Sequence, residues 1–212
     1  MEITWLGHSC FRVKSKEATL ITDPYYEDIA YPWASPTANI VTISHPHSGH
    51  GNAAGVGGDP KVVTRPGEYE SRGVFILGLG NFHDPDGGSS RGRNTSYLVE
   101  MEDMKLCHLG DLGHVPSARQ VQELSELGVL IIPVGGVSTI DGKMAAEIVR
   151  LLNPRIVIPM HYGTKVVNWL EPLDKFTTQM GLREVVPQPK LSVTKASLPT
   201  ETRVVVFDLP AG

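Results

Sequence analysis

Short runs of apolar residues, closed by turn formers, dominate the first half of the chain. Ile3–Leu6, Phe11–Val13, Thr19–Thr22 and Ile40–Ile43 are rich in β-branched or aromatic residues, and each predicts a strand. Lys61–Thr64, Gly73–Leu77, Ser96–Glu100 and Met104–Leu109 continue the pattern. A helical period appears only later. Ser117 opens a helix to about Leu127, with Val121, Leu124 and Leu127 on one face and Gly128 as its stop. Asp141 caps a second, whose inner face carries Met144, Ile148, Val149 and Leu152 and which ends before Pro154. A third runs from about Trp169 to Met180, with Pro172 in its first turn and Gly181 beyond it. Strands are predicted between and after these helices at Val129–Pro133, Arg155–Pro159, Arg183–Val186 and Arg203–Asp208. Hairpins followed by strand–helix–strand alternation predict a mixed α/β fold, sheet layered with helices. Gly51–Gly58 and Gly87–Gly92 read as loops.

The 212 residues are expected to form a single domain, 1–212. A chain of this length buries roughly 70% of its extended surface, so a metal in it would serve function rather than folding. The net charge of -4 argues against nucleic acid or an anionic membrane surface as a partner. Cys10 and Cys107 lie in apolar runs and read as buried thiols in a reducing compartment. The opening MEITWLGHSCF has neither a basic start nor a long apolar run, and no stretch reaches the ~18 apolar residues of a membrane span. A soluble, cytoplasmic protein is the expectation.

The chemistry lies in the histidines. Three of the eight fall within His45-Pro46-His47-Ser48-Gly49-His50, directly after the buried-strand run Ile40–Ile43. Loops leaving strand ends are where α/β sheets place ligand sites, and neutral imidazoles on a tight turn suit a transition metal. A solvent-exposed His-rich loop is the plainer alternative. His83, Asp111 and His161 each follow an apolar strand with a glycine nearby, as in Leu109-Gly110-Asp111 and Pro159-Met160-His161-Tyr162-Gly163. One metal site gathering His45, His47, His50, His83, Asp111 and His161 explains these segments together.

The order Asp23, His45-x-His47-x-x-His50, His83, Asp111 and His161 resembles the five motifs of the metallo-β-lactamase superfamily. Thr4-Trp5-Leu6-Gly7-His8-Ser9, Ile21-Thr22-Asp23-Pro24, Pro66-Gly67-Glu68-Tyr69 and Pro159-Met160-His161-Tyr162 are similar to the branch of metal-dependent hydrolases that includes L-ascorbate-6-phosphate lactonases. The resemblance implies a four-layer αββα sandwich with metals at one edge. It assigns His45, His47 and His83 to a first metal, His50 and His161 to a second, and Asp111 to both. Asp23 would accept a hydrogen bond from a ligand histidine and fix its tautomer; an Asp-Pro turn accounts for it as well. Zinc is the expected cofactor, as one or two ions, with manganese or iron also compatible.

This chain has Gly49 where the family pattern His-x-His-x-Asp-His carries an aspartate. One negative charge is lost from a site meant for two dications, so the second ion should bind more weakly. Asp84 or Asp86 is the alternative source of that carboxylate. The expected chemistry is attack by a metal-bound hydroxide on a small anionic ester, lactone or phosphodiester, with Asp111 taking up the proton. His8 either contacts the substrate or protonates a leaving group, or is a structural histidine bonded to backbone. Arg91 and Arg93 in the loop after His83, with Lys165, would bind the anion, unless they belong to a solvated surface. His108 and His114 read as structural, as does Glu68 in a Pro-Gly-Glu-Tyr turn. The resemblance also implies that homo-oligomers can form through exposed faces. The other reading is a non-catalytic or sensory metal-binding domain, degenerate at its second site because of Gly49.

Overall fold

A computed structural model describes residues 1–210; the expected domain of 1–212 runs two residues beyond them. Two sheets face each other. The first begins with β1 (Glu2–Gly7), β2 (Cys10–Lys14), β3 (Thr19–Thr22), β4 (Ile40–Thr42) and β5 (Lys61–Val63). The second contains β6 (Gly67–Ser71), β7 (Val74–Phe82), β8 (Arg93–Met101), β9 (Met104–His108), β10 (Val129–Pro133) and β11 (Ile156–Met160). Three helices follow the hairpins: α1 (Ala118–Glu123), α2 (Gly142–Leu152) and α3 (Asp174–Gln179). Two-residue strands β12 (Leu191–Ser192) and β13 (Arg203–Val204) complete the sheets, giving β12-β1-β2-β3-β4-β5 and β13-β11-β10-β9-β8-β7-β6.

Both sheets are half hairpin and half crossover. β1 to β3 are antiparallel, whereas β3, β4 and β5 run parallel. In the second sheet β6 to β9 are antiparallel, and β9, β10, β11 and β13 run parallel. The burial patterns follow from this. β1 alternates half-buried and buried residues, as a sheet with one covered face requires, while β10 and β11 are buried at every position and read as continuous Val/Ile/Leu runs. The crossovers β9–β10 and β10–β11 carry α1 and α2; those of the first sheet carry only 3-10 turns at Glu27–Ile29 and Ala53–Gly55. The expected sandwich is present, with few helices on one side. Tyr97 ties the sheets together, its hydroxyl donating to the carbonyls of Ile43 (2.8 Å) and Val63 (3.2 Å).

Some elements differ from their sequence pattern. α1 stops at Glu123 because the chain turns through a left-handed Glu126, which swings Leu127 into the core ahead of β10. α3 starts only at Asp174, since Glu171 is engaged from both sides: its amide donates to Gly135 and its carbonyl accepts from Gly163. Residues 183–186 form no strand; Val186 is 79% exposed, and β12 takes the edge of the first sheet instead. Pro66-Gly67-Glu68-Tyr69 is not a turn but the entry to β6, with Glu68 exposed. Among the described residues no helix is long and apolar enough to cross a membrane. Cys10 and Cys107 are free and buried.

Candidate metal centre

Six strands end at one edge between the sheets, and each delivers a polar side chain there. His8 follows β1, Asp23 follows β3, the His45–His50 turn follows β4, His83 follows β7, Asp111 follows β9 and His161 follows β11. Sheet termini are the places where backbone can leave the ladder and aim side chains at a common point. His8, Asp23 and His161 have positive φ (51°, 40° and 52°), a conformation that costs a non-glycine residue about 1–2 kcal/mol. Strain of this kind persists where the surroundings impose it, and it gathers at functional sites.

Asp111 is the hub. Its Oδ2 lies 3.2 Å from Nε2 of His50, 3.2 Å from Nε2 of His83, 3.3 Å from Nε2 of His161 and 4.0 Å from Nε2 of His45. One carboxylate oxygen has two lone pairs, so four imidazoles cannot all be hydrogen-bonded to it. Among the described residues Nε2 of His45, Nε2 of His50 and Oδ1 of Asp111 are buried without a hydrogen-bond partner. Two ligands of one zinc ion, each at about 2.0–2.2 Å, sit roughly 3.0–3.6 Å apart. The spacings, the donor types and the unpartnered atoms therefore fit a divalent cation better than they fit a hydrogen-bond network. The possible ligand sets are His45-His83-Asp111, His45-His47-His50 and His8-His50-His161. His47 is the exposed member, and its Nδ1 accepts the amide of Gly49 (3.2 Å).

Asp23 orders two of these rings. Its Oδ1 accepts the Ser44 amide (2.7 Å), and its Oδ2 accepts the Ser44 hydroxyl (2.6 Å) and Nδ1–H of His50 (2.9 Å). Because the hydroxyl hydrogen goes to the carboxylate, the 3.0 Å contact between Ser44 Oγ and His45 Nδ1 must have the ring as donor. Both histidines are thus held through Nδ1 with Nε2 toward Asp111. Asp23→Ala removes both constraints, and metal affinity is expected to fall at least 10–100-fold, the usual cost of losing such a partner; a calorimetric zinc titration checks it.

A second set of hydrogen bonds holds Asp111. Its amide donates to Asn94 Oδ1 (2.9 Å), while Nδ2 of Asn94 donates to Asn81 Oδ1 (2.6 Å) and to the Leu109 carbonyl (2.9 Å). Ser44, Asn81 and Asn94 are functional residues that sequence reasoning missed. The one available signal was a run of polar residues at strand ends that are otherwise apolar.

With no cation bound, burial and neighbouring charges drive the imidazoles of the cluster in different directions. Burial, reinforced by the proximity of His50, holds His45 down at about 3, and burial holds His161 at about 4. Burial and the neighbouring His161 and His50 push His8 well below the ordinary range. Burial also works against a proton on His50, but the carboxylates of Asp111 and Asp23 outweigh it and lift this ring to about 10. Once unfolded, all four titrate near ~6.5. Below that pH the unfolded chain binds more protons at His8, His45 and His161, so stability falls as pH falls; the His50 contribution is fully present there and is lost only as pH rises towards 10. Metal-free protein is therefore expected to melt at progressively lower temperature between about pH 7 and 5. A melting temperature constant across that range would contradict these buried neutral rings.

Other expected residues lie elsewhere. Asp84 is buried, but its carboxylate accepts the amides of Asp86 (2.9 Å), Gly88 (2.9 Å), Ser90 (3.1 Å) and Arg91 (2.7 Å). It is spent on folding its own loop and does not replace the carboxylate missing at position 49. Asp86 is exposed and also stands outside the ligand sets. Arg91, Arg93 and Lys165 are exposed and form no ion pair among the described residues. His108 is buried, donating Nε2–H to the Ser9 carbonyl and accepting the Gly110 amide. His114 accepts the Phe82 amide, and its Nδ1 contacts the Val115 carbonyl.

The two facing sheets agree with the fold of known proteins. The model of the family described as "Beta-lactamase superfamily domain" matches residues 2–161, and the chain belongs to this superfamily. Within it, the chain is 31% identical over 185 residues to a UPF0173 protein of Pyrococcus abyssi, spanning 77% of this chain and 84% of the relative, which places it in the UPF0173 family. A UPF0173 metal-dependent hydrolase of Methanosarcina barkeri is 29% identical, with 77% and 84% covered. Among solved structures, a Thermotoga maritima protein named as a presumptive zinc-dependent hydrolase of the metallo-β-lactamase superfamily aligns with a TM-score of 0.82, 39% identity and 97% of both chains covered.

Proposed function

We propose that this chain is a metal-dependent hydrolase acting on a small anionic ester, lactone or phosphodiester. The observation that carries this reading is the convergence of four buried imidazoles on the single carboxylate of Asp111, with Nε2 of His45 and of His50 left without a hydrogen-bond partner among the described residues. The names of the Methanosarcina and Thermotoga relatives support it. His45, His47 and His83 would hold one cation and His50 and His161 a second, with Asp111 between them; zinc suits this donor set best. A bound divalent cation would supply Lewis acidity toward the scissile oxygen and make a water acidic enough to act near neutral pH.

The chain's own residues supply the rest. Asp111 Oδ1 is buried and unpartnered, so it is free to accept the proton that the attacking water loses. Asp23 and Ser44 keep His45 and His50 from rotating while charge builds up. Trp169, 55% exposed, has its ring centroid 6.2 Å from that of His161 and 6.5 Å from that of His8, and it offers an apolar wall beside the reacting group. Arg91 in the loop after His83, Arg93 at the start of β8 and Lys165 beyond His161 are exposed cations without an ion pair among the described residues and suit an anionic substrate. The similarity to the lactonase branch favours a phosphorylated lactone or ester within this class.

Generic phosphodiester and lactone substrates are expected to be turned over slowly, with all activity lost on chelation and regained with zinc. Arg91→Ala and Arg93→Ala are expected to raise KM for the charged substrate while leaving kcat nearly unchanged. Stoichiometric metal without metal-dependent turnover across such a panel would replace this reading with a binding or sensory domain.

A further inference from the structure

Position 49 and His8 are complementary in space. A Cβ at Gly49 would lie 3.0 Å from Nε2 and 3.1 Å from Cδ2 of His8, so the absence of a side chain there is what admits the imidazole. The ring sits among the ligand histidines, its centroid 4.3 Å from that of His161 and 5.3 Å from that of His50. One nitrogen from each of these three residues lies within 4.8 Å of the other two. His8 is only 3% exposed, yet among the described residues neither of its ring nitrogens makes a hydrogen bond. Its backbone is pinned in a left-handed conformation, its carbonyl accepting Nε1–H of Trp5 (3.0 Å) and the His161 amide (3.4 Å). A structural histidine would use its ring nitrogens to satisfy buried backbone, as His108 does; this one leaves both unbonded, with one of them within 4.8 Å of a nitrogen of His50 and of His161.

We propose that His8 is a metal ligand, completing with His50, His161 and the shared Asp111 a second cation site in the room left open at Gly49. The proposal rests on the metal-dependent reading above and extends it. It also specifies the character of that site. Three neutral imidazoles and one carboxylate replace a set with one more negative charge, so the second ion is held less tightly than the first and metals that favour nitrogen donors, such as zinc or cobalt, are preferred over manganese or magnesium.

The test is elemental analysis of zinc-loaded, desalted protein as wild type, as His8→Ala and as His8→Ala/Gly49→Asp. Two ions per chain are expected in the wild type and one in His8→Ala. Two are expected again in the double variant, where an aspartate takes the space the ring has left. Circular dichroism and melting of the single variant separate loss of the ion from loss of the fold. A crystal structure of the zinc-loaded wild type decides independently of any variant: a ring nitrogen of His8 is expected about 2.0–2.1 Å from an ion. Two ions in both wild type and His8→Ala, or an ion on His50 and His161 that His8 does not touch, would overturn the proposal and leave metal dependence standing. One ion in both would do the same. No ion in the wild type would overturn the hydrolase reading along with it.

Discussion

Asp111→Asn is expected to strip the chain of bound metal and of hydrolytic activity together. Among the described residues its carboxylate is the one negative charge within 4.0 Å of the Nε2 atoms of His45, His50, His83 and His161, and it is almost wholly buried. A dication surrounded by neutral imidazoles in such a site has little to offset its lost hydration. Breaking a buried charge pair by removing one partner costs about 3–5 kcal/mol, or roughly 10²- to 10³-fold or more in affinity. The isosteric amide keeps the fold, because the Asp111 amide still donates to Asn94. It also removes the larger of the two influences that lift His50, so this ring should release its proton at lower pH in the metal-free variant. Zinc titration, turnover and NMR titration of the imidazoles each report on this. A variant that still binds zinc as tightly as the wild type would rule out Asp111 as the shared ligand.

Gly110→Ala is expected to damage the site without touching a ligand. Gly110 has φ +58°, and a Cβ there would lie 2.4 Å from Asn94 Oδ1 and 2.5 Å from Ser44 Cβ. Alanine must adopt the left-handed conformation and push apart the two residues that hold Asp111 and His45. Together these effects should cost roughly 2–5 kcal/mol of stability, from about 1–2 for the backbone and 1–3 for overpacking. Metal affinity should fall by about 10–100-fold as well, since both supporting networks shift. The melting temperature and a zinc titration measure the two effects. If both were unchanged, Asn94 and Ser44 would not be what aligns the cluster.

Much of the architecture was legible because it depends on local chemistry. Ile40–Ile43 and Val129–Pro133 read as strands and form β4 (Ile40–Thr42) and β10, and Asp141 caps α2 through the Met144 amide, as its side chain suggested. The histidine turn after β4 was readable for the same reason: strand, Pro and Gly fix where the chain leaves the sheet. Element ends were less legible. The first turn of the expected third helix was lost to hydrogen bonds between Glu171 and the loops that follow β10 and β11, at Gly135 and Gly163. Val186 sits in a run with strand character but finds no sheet to bury it.

The sequence by itself determined the class of fold and the strand ends that carry the clustered histidines and Asp111, because periodicity and turn chemistry act over a few residues. It also showed that a carboxylate is missing at Gly49, but not what fills its place. Only the tertiary structure decided that Asp84 is used up by its own loop and that Asp23 orders two rings through Ser44. It alone decided that the ring of His8 enters the space beside Gly49. Asp84 is taken by amides 2 to 7 residues away, but Asp23 reaches His50 across 27 residues and His8 meets His161 across 153, and such distances exist only once two sheets have packed and brought six strand ends to one edge.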